Sequence, residues 1–443
     1  SSAASDVYKR QFEDEAVGVL AAEAGGSFDL CIASPGISQF SAFYEAAAAV
    51  SAEVISEVEF AWRESAADSR WVAVTGTNGK TTACALAAHV LAGAGLAAAA
   101  VGNIGDPCIE AVAAGRTDVY VAEVSSYQLA STARFAPNVA VLLNITPDHL
   151  HWHRSFEAYR DAKLKLLANL PGVPGAVAVL DATNDVVRAE VRRLRALDAG
   201  ERGFSYVPLG TAAGLTGDMR AACGSDNAAF LDADGTLRVA LNGAEHAAAR
   251  VEELQIKGEH NASNALAVAA AALALGVHES DVAEGLRTFA PLEHRIEPCG
   301  SVAGVRCYND SKATNVDATL KALAAFPETR PVVLLGGDDK GTDLAPLVEA
   351  AHAHAGAVVC FGDAGERFAA AFEAADAQAP AGFAAARAAH LADAFDAALA
   401  LASAGDVVLL SPACASFDEF GSFEERGAAF KTLVADAASA LGA

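Results

Sequence analysis

The chain has 443 residues, a formal net charge of -25 and a sequence pI near 4.7, a balance that argues against nucleic acid and anionic membranes as partners. Its length suffices for about two to four domains with a sizeable core. Eight cysteines, at 31, 84, 108, 223, 299, 307, 360 and 414, show no CxxC spacing and the opening residues do not read as a secretory signal, so a soluble cytoplasmic protein with mostly inert buried thiols is expected.

Residues 1–11 carry no periodic pattern. A strand at 29–33 runs into Ser34-Pro35-Gly36-Ile37, which is either a plain turn or a ligand-lining loop at a strand end. The next strand, 71–75, opens on Trp71-Val72-Ala73-Val74. It leads into Gly76-Thr77-Asn78-Gly79-Lys80-Thr81-Thr82 and an alanine-rich helix from Ala83 to Gly93. Strand, glycine-rich loop and helix is the context of a phosphate-binding loop. Gly76 and Gly79 let backbone N–H groups approach phosphate oxygens, and the helix N-terminus adds partial positive charge. Lys80 can reach the outer phosphates, and the Thr81 hydroxyl can hold Mg²⁺. The competing reading is a glycine turn with a solvated lysine. The apolar runs at 83–101 and 264–277 are expected to be core helices. The first is broken by His89 and glycines, and the second is too short to span a bilayer.

Further strands are expected at 119–123, 139–143, 176–180, 331–335, 357–361 and 406–410. Alternating with alanine-rich helical segments, they predict parallel α/β layers. Residues 205–255 are short and turn-punctuated, as in a small antiparallel insert. Boundaries fall near Ser69-Arg70 and near Pro291. The alanine-rich stretch Glu373–Arg387 reads as a surface helix or loop without chemistry.

Glu123 closes the strand 119–123 and is followed by Val124-Ser125-Ser126-Tyr127-Gln128. A carboxylate at a strand end, one βα unit after a phosphate loop, is well placed for Mg²⁺. The strand 139–143 leads into Asn144-Ile145-Thr146-Pro147-Asp148-His149. His149, His151 and His153 alternate, yet no cysteine or carboxylate completes a zinc site. His149 is the better candidate, as a neighbour of Mg²⁺ or of a carbamate, while His151 and His153 read as loop residues. Lys163, on a helix beyond, can snorkel to solvent. Asn261 and Asn264 open another helix and either cap it or read a base edge. His294-Arg295, Asn309-Asp310-Ser311-Lys312-Ala313-Thr314-Asn315, Gly336-Gly337-Asp338-Asp339-Lys340 and Ser411-Pro412-Ala413-Cys414-Ala415-Ser416 all stand at expected strand ends. Together they predict a crevice for an anionic, amine-bearing substrate.

From about Asp29 to the C-terminus these residues resemble the Mur ligase family, the ATP-dependent amide ligases of peptidoglycan assembly. The resemblance implies an α/β chain of three domains: an N-terminal Rossmann-like domain for a UDP-sugar at 1–69, a central P-loop ATPase-like domain at 70–291 and a C-terminal Rossmann-like domain for the amino acid at 292–443. The third is expected to close over the other two. The first half of the N-terminal domain is expected to be missing, because nothing upstream of Phe12 matches the family's opening strand and glycine-rich turn. Ser34-Pro35-Gly36-Ile37, the Asn309–Asn315 run and Ser411–Asp418 point to a member that adds D-glutamate to UDP-N-acetylmuramoyl-L-alanine through an acyl phosphate. A folate or polyglutamate ligase, and an inactive ATP-binding fragment, are the alternatives.

On this resemblance ATP is held by Gly76, Thr77, Asn78, Gly79, Lys80, Thr81 and Thr82, with Asn261 and Asn264 near adenine and Arg295 and Asp310 reaching it from the third domain. Two Mg²⁺ are implied, one on Thr81 and Glu123, the other on His149 and a carbamylated Lys163. Lys80, Asn103, His149, Lys163 and Lys312 stand near the reacting groups. Ser34, Pro35, Gly36, Asn103, Ser125 and Gln128 are implied for the UDP-sugar, and Thr314, Lys340, Ser416 and Phe423 for D-glutamate. A monomer is expected.

Overall fold

The computed structural model describes residues 17, 21–22, 25–210, 214–339, 341–378 and 383–441. Lys340 and the opening stretch Ser1–Gln11 lie outside them. The chain divides into two compact units, one within Ser1–Leu254 and Ala262–Phe289, the other within Gln255–Asn261 and Ala290–Ala443. Among the described residues no helix is long and apolar enough to cross a membrane.

The first unit is built on a nine-stranded sheet. Its order across is Ala244–Arg250, Thr236–Leu241, Ala228–Leu231, Ser205–Leu209, Val177–Asp181, Val139–Leu142, Arg70–Thr75, Val119–Glu123 and Ala98–Gly102. Every pairing is parallel except the two made by Thr236–Leu241. All residues of Val119–Glu123 and Val139–Leu142 are buried, as expected of central parallel strands covered on both faces. Trp71 stacks on Tyr120 at 4.7 Å between ring centroids and meets the edge of Phe135 at 5.9 Å. The helix Lys80–Gly93 packs against Glu279–Thr288. Their approach depends on Gly285, where a Cβ would stand 2.8 Å from the Val90 Cα. A separate two-stranded parallel sheet pairs Cys31–Ala33 with Val54–Ser56. It is tied to the rest of the unit by Ser56 N donating to Ser131 O at 2.9 Å and by Arg154 lying 4.4 Å over the Phe40 ring.

The second unit has a six-stranded sheet in the order Glu297–Val302, Val305–Asn309, Val407–Ala413, Val332–Gly336, Ala357–Phe361 and Ala384–Arg387. Only the first pair is antiparallel. Val332–Gly336, Ala357–Phe361 and Val407–Ala413 are wholly buried.

Three expectations change. Residues 205–255 are not an insert of their own, because Ser205–Leu209 continues the parallel sheet and 228–250 extend its edge. The run 83–101 is a helix followed by the strand Ala98–Gly102, and part of Glu373–Arg387 is the strand Ala384–Arg387. Both strands are alanine-rich edges paired to a stronger neighbour. The ladder, rather than their own propensity, makes them extended.

Candidate active site

In the register of the central strands, Val74 pairs with Glu123 and Thr75 with Leu142. Three segments therefore leave the sheet at one edge, 76–79, 123–126 and 143–149. The loop 76–79 turns into its helix through Gly79, whose φ of 88° suits glycine. A Cβ at Gly79 would also stand 2.8 Å from Asn264 Oδ1, so Asn264 lies against the 76–79 loop. Lys80 folds back over the loop, and its Nζ donates to the Gly76 and Thr77 carbonyls, each at 2.9 Å.

The next segment holds this loop in shape. Asn144 Nδ2 donates to Asn78 O at 3.0 Å, and Asn144 Oδ1 accepts from Asn78 N at 2.8 Å. Thr77 Oγ1 accepts from Thr146 N at 2.9 Å and shares a 2.8 Å hydrogen bond with the Tyr159 hydroxyl. Neither Asn144 nor Tyr159 stood out in the sequence. The signal available was position, since Asn144 directly follows the strand beside the phosphate loop. Asn144→Ala removes two hydrogen bonds worth about 1 kcal/mol each. A melting temperature lower by a few degrees and nucleotide affinity about tenfold weaker are expected, read by thermal melting and by titration with ATP.

Glu123 is buried. Its Oε1 accepts from Asn103 Nδ2 at 2.8 Å, while its Oε2 has no hydrogen-bond partner. A buried carboxylate oxygen without a donor is costly unless a cation meets it. Lys163 does not snorkel. It is 2% exposed, and its Nζ donates to Gly76 O at 2.8 Å. Burial, and then the charge of Lys80, holds it well below the usual lysine range, which favours the neutral amine.

His149 adopts a φ of 53°. Its ring stands 3.5 Å from the Asp148 carboxylate and 4.9 Å from the Tyr127 ring centroid. His153 is no loop residue. It is buried among Tyr127, Trp152 and Tyr159, with Nε2 2.9 Å from Ser126 Oγ, and burial pushes its pKa down to about 4. Ser125 and Gln128 cap the helix Ser126–Ala130 reciprocally. Among the described residues, Glu293, His294 and Glu297 bring three metal-ligating atoms within 4.8 Å of one another, but Lys431 already bridges the two carboxylates. Ser34, Pro35 and Gly36 form an exposed turn closed by Ile37 N donating to Ser34 O at 3.0 Å.

In the second unit Asp310 is buried, with Oδ2 accepting from Ser411 Oγ at 2.8 Å and Oδ1 from Ile296 N at 3.2 Å. Burial outweighs those bonds and lifts its pKa to about 7. Lys312 Nζ lies 3.8 Å over the Phe423 ring. Ser416 Oγ is buried without a partner, and Thr314 and Arg295 are half-buried. Asn261 Nδ2 donates to Lys257 O at 2.7 Å.

A model of the Mur ligase middle domain matches residues 74–272, and one of the Mur ligase glutamate ligase domain matches 294–414. The chain is 38% identical over 411 residues to the UDP-N-acetylmuramoylalanine--D-glutamate ligase of Alkaliphilus metalliredigens, covering 92% of this chain and 84% of that one. The chain belongs to the Mur ligase family. The ligase of the same description from Pelotomaculum thermopropionicum is 39% identical over 419 residues, with the same coverage. Among solved structures, MurF of Acinetobacter baumannii shares the fold at a TM-score of 0.61 and 18% identity, over 93% of this chain and 90% of that one. Folylpolyglutamate synthase of Mycobacterium tuberculosis, solved with ADP, shares it at 0.59 and 17%, over 85% and 93%. The matched ranges contain the 76–79 loop, Glu123 and Lys163 in the first unit and Asp310 and Lys312 in the second.

Proposed function

We propose that this chain is an ATP-dependent ligase that joins D-glutamate to UDP-N-acetylmuramoyl-L-alanine, in the cytoplasmic stage of peptidoglycan synthesis. One observation carries the reading: relatives described as that ligase are 38% and 39% identical over 92% of the chain. The substrate's alanyl carboxylate attacks the γ-phosphorus of ATP, the bond to the bridging oxygen breaks and ADP leaves. The amine of D-glutamate then attacks the acyl carbon, gives up a proton and expels inorganic phosphate, leaving an amide.

Phosphoryl transfer asks for positioning and charge neutralisation more than covalent help. The ammonium of Lys80 and the N–H groups of 76–82 are proposed for the phosphates. The two carbonyl bonds of Lys80 are exchanged for phosphate oxygens as nucleotide arrives. Asn103, oriented by Glu123, is proposed for the reacting carboxylate. The unpartnered Glu123 Oε2 fits a divalent cation, so Thr81 and Glu123 would hold one Mg²⁺ and His149 with a carbamylated Lys163 a second. Bound there, Mg²⁺ supplies neutralisation of phosphate charge.

Asn261 and Asn264 are proposed for the adenine side. Asp310, engaged with Ser411 and with Ile296 N, is proposed to serve ATP by fixing the turn that carries Arg295. Lys312 is proposed beside the reacting groups. Thr314, Lys340, Ser416 and Phe423 are proposed for D-glutamate, where hydroxyl and ammonium donors suit two carboxylates. Ser34, Pro35, Gly36, Ser125 and Gln128 are proposed for the UDP-sugar, the last two through the helix they cap. A monomer without nucleic acid or membrane partners completes the reading.

Phosphate release from ATP tests it, run with UDP-N-acetylmuramoyl-L-alanine in the presence and absence of D-glutamate. Release that requires both substrates is expected. Release with a folate in place of the UDP-sugar would assign the other ligase class, and ATP binding without release would assign a nucleotide-binding fragment.

A further inference from the structure

Arg426 is fully buried, on the helix Phe423–Leu441 one turn beyond Phe423. Its Nε donates to Ser311 Oγ at 2.9 Å, one terminal nitrogen to Ala415 O at 2.9 Å, and the other to Ser311 O at 2.9 Å and Cys414 O at 3.1 Å. All of these acceptors are neutral. Among the described residues no carboxylate pairs with it at ion-pair distance. Burial is the main influence on its pKa and pulls it down to about 10, so the guanidinium stays charged at neutral pH. Asp418 and Glu419 act on it electrostatically, but the groups it bonds directly are carbonyl and hydroxyl dipoles, and a buried cation so held is normally costly.

Its acceptors lie on the loops that follow two parallel strands. Ser311 belongs to Asn309–Asn315, and Cys414 and Ala415 directly precede Ser416. The Gly336–Asp339 loop joins them, because Asp338 N donates to Ala415 O at 3.0 Å and Ala415 N to Asp338 O at 3.1 Å. Gly337 has a φ of 127°, and a Cβ there would stand 2.2 Å from Ala415 O and 3.0 Å from the guanidinium. Ser311 Oγ extends the link by donating to Phe423 O at 2.8 Å. On these loops Ser416 Oγ is buried without a hydrogen-bond partner, and Lys312 Nζ lies over the Phe423 ring.

We propose that Arg426 is a positioning residue for the glutamate site: its guanidinium ties the Asn309–Asn315 loop to the Cys414–Ala415 segment, to which the Gly336–Asp339 loop is paired, in the arrangement that receives the amino acid, and its charge favours a dicarboxylate there over a neutral amino acid. The inference rests on the reading of the chain as a D-glutamate-adding ligase. Lysine cannot replace the fork, because four acceptors on two loops are held by donors fixed in one plane. Methionine fills the space but removes both fork and charge.

The test uses the full chain and three variants, Arg426→Lys, Arg426→Met and Ser311→Ala, checked for folding by circular dichroism and melting. Initial rates are measured against D-glutamate, ATP and the UDP-sugar separately. In Arg426→Lys the KM for D-glutamate is expected to rise about tenfold or more, with the KM for ATP within about twofold of wild type. Arg426→Met is expected also to lose the preference for D-glutamate over D-glutamine. Ser311→Ala keeps the cation but cuts the link to Phe423, and a selective rise of about threefold in the KM for D-glutamate is expected. Folded variants with an unchanged KM for D-glutamate, or with all three KM values raised alike, would overturn the proposal. Should both Arg426 variants fail to fold, Ser311→Ala decides on the same criterion. A wild-type chain indifferent to D-glutamate overturns the functional reading, and the proposal with it. A wild type that saturates with D-glutamate beside variants that do so equally well overturns only the proposal.

Discussion

Replacing Lys80 by alanine is expected to lower ATP turnover by about 10³-fold while leaving the fold intact, because the ammonium meets charge that grows in the transition state. The structure separates these two effects. Lys80 Nζ donates to carbonyls of its own loop, Gly76 O and Thr77 O, and the loop keeps its shape through Asn144, Thr146 and Tyr159. Losing the ammonium therefore removes about 1–2 kcal/mol of local bonding, against about 4 kcal/mol of barrier for a thousandfold rate loss. Melting temperature and ADP release, measured on the same preparation, check the split. Turnover within tenfold of wild type in a folded Lys80→Ala would remove the phosphate-loop assignment.

What the sequence made legible follows physical locality. The strand, glycine loop and helix around Gly76 to Lys80 were readable because their pattern is carried by consecutive residues. That Glu123 and the loops after 309, 336 and 411 stand at strand ends was readable because apolar runs that close on polar and glycine residues mark strand ends in a parallel sheet. Lys163 was left between solvent and site, because whether a lysine on a short helix reaches inward depends on packing that no local pattern encodes. His153 was misjudged for the same reason: with no ligand set to complete a zinc site it read as a loop residue, but a tight helix turn buries it beside Ser126. Arg426 was invisible, since its partners sit 115, 12 and 11 residues away in sequence. The alanine-rich edge strands at 98–102 and 384–387 show the same limit for secondary structure, where neighbours rather than composition decide.

Lys163→Ala is expected to reduce turnover by about 10²-fold or more and to recover in part with added formate or acetate. The argument starts from burial. For a lysine enclosed beside Gly76 O and Thr75 Oγ1, burial and then the ammonium of Lys80 lower the pKa well below the usual lysine range, which favours the neutral amine. A neutral amine attacks the carbon of CO₂, forms the N–C bond and releases a proton, so a cation-destined side chain becomes an anionic ligand. That carboxylate would stand across the phosphate loop from Lys80, beside the same edge that carries Glu123 and its open oxygen. Alanine leaves a void about the length of the lost side chain, into which a small carboxylic acid fits where a large one does not. Rates are compared with formate, acetate and butyrate at constant ionic strength, together with the mass of the wild-type chain equilibrated with bicarbonate. Rescue that weakens with acid size supports the carbamate. Full activity of Lys163→Ala without any acid would end it, leaving Lys163 as a buried prop for the Gly76 carbonyl.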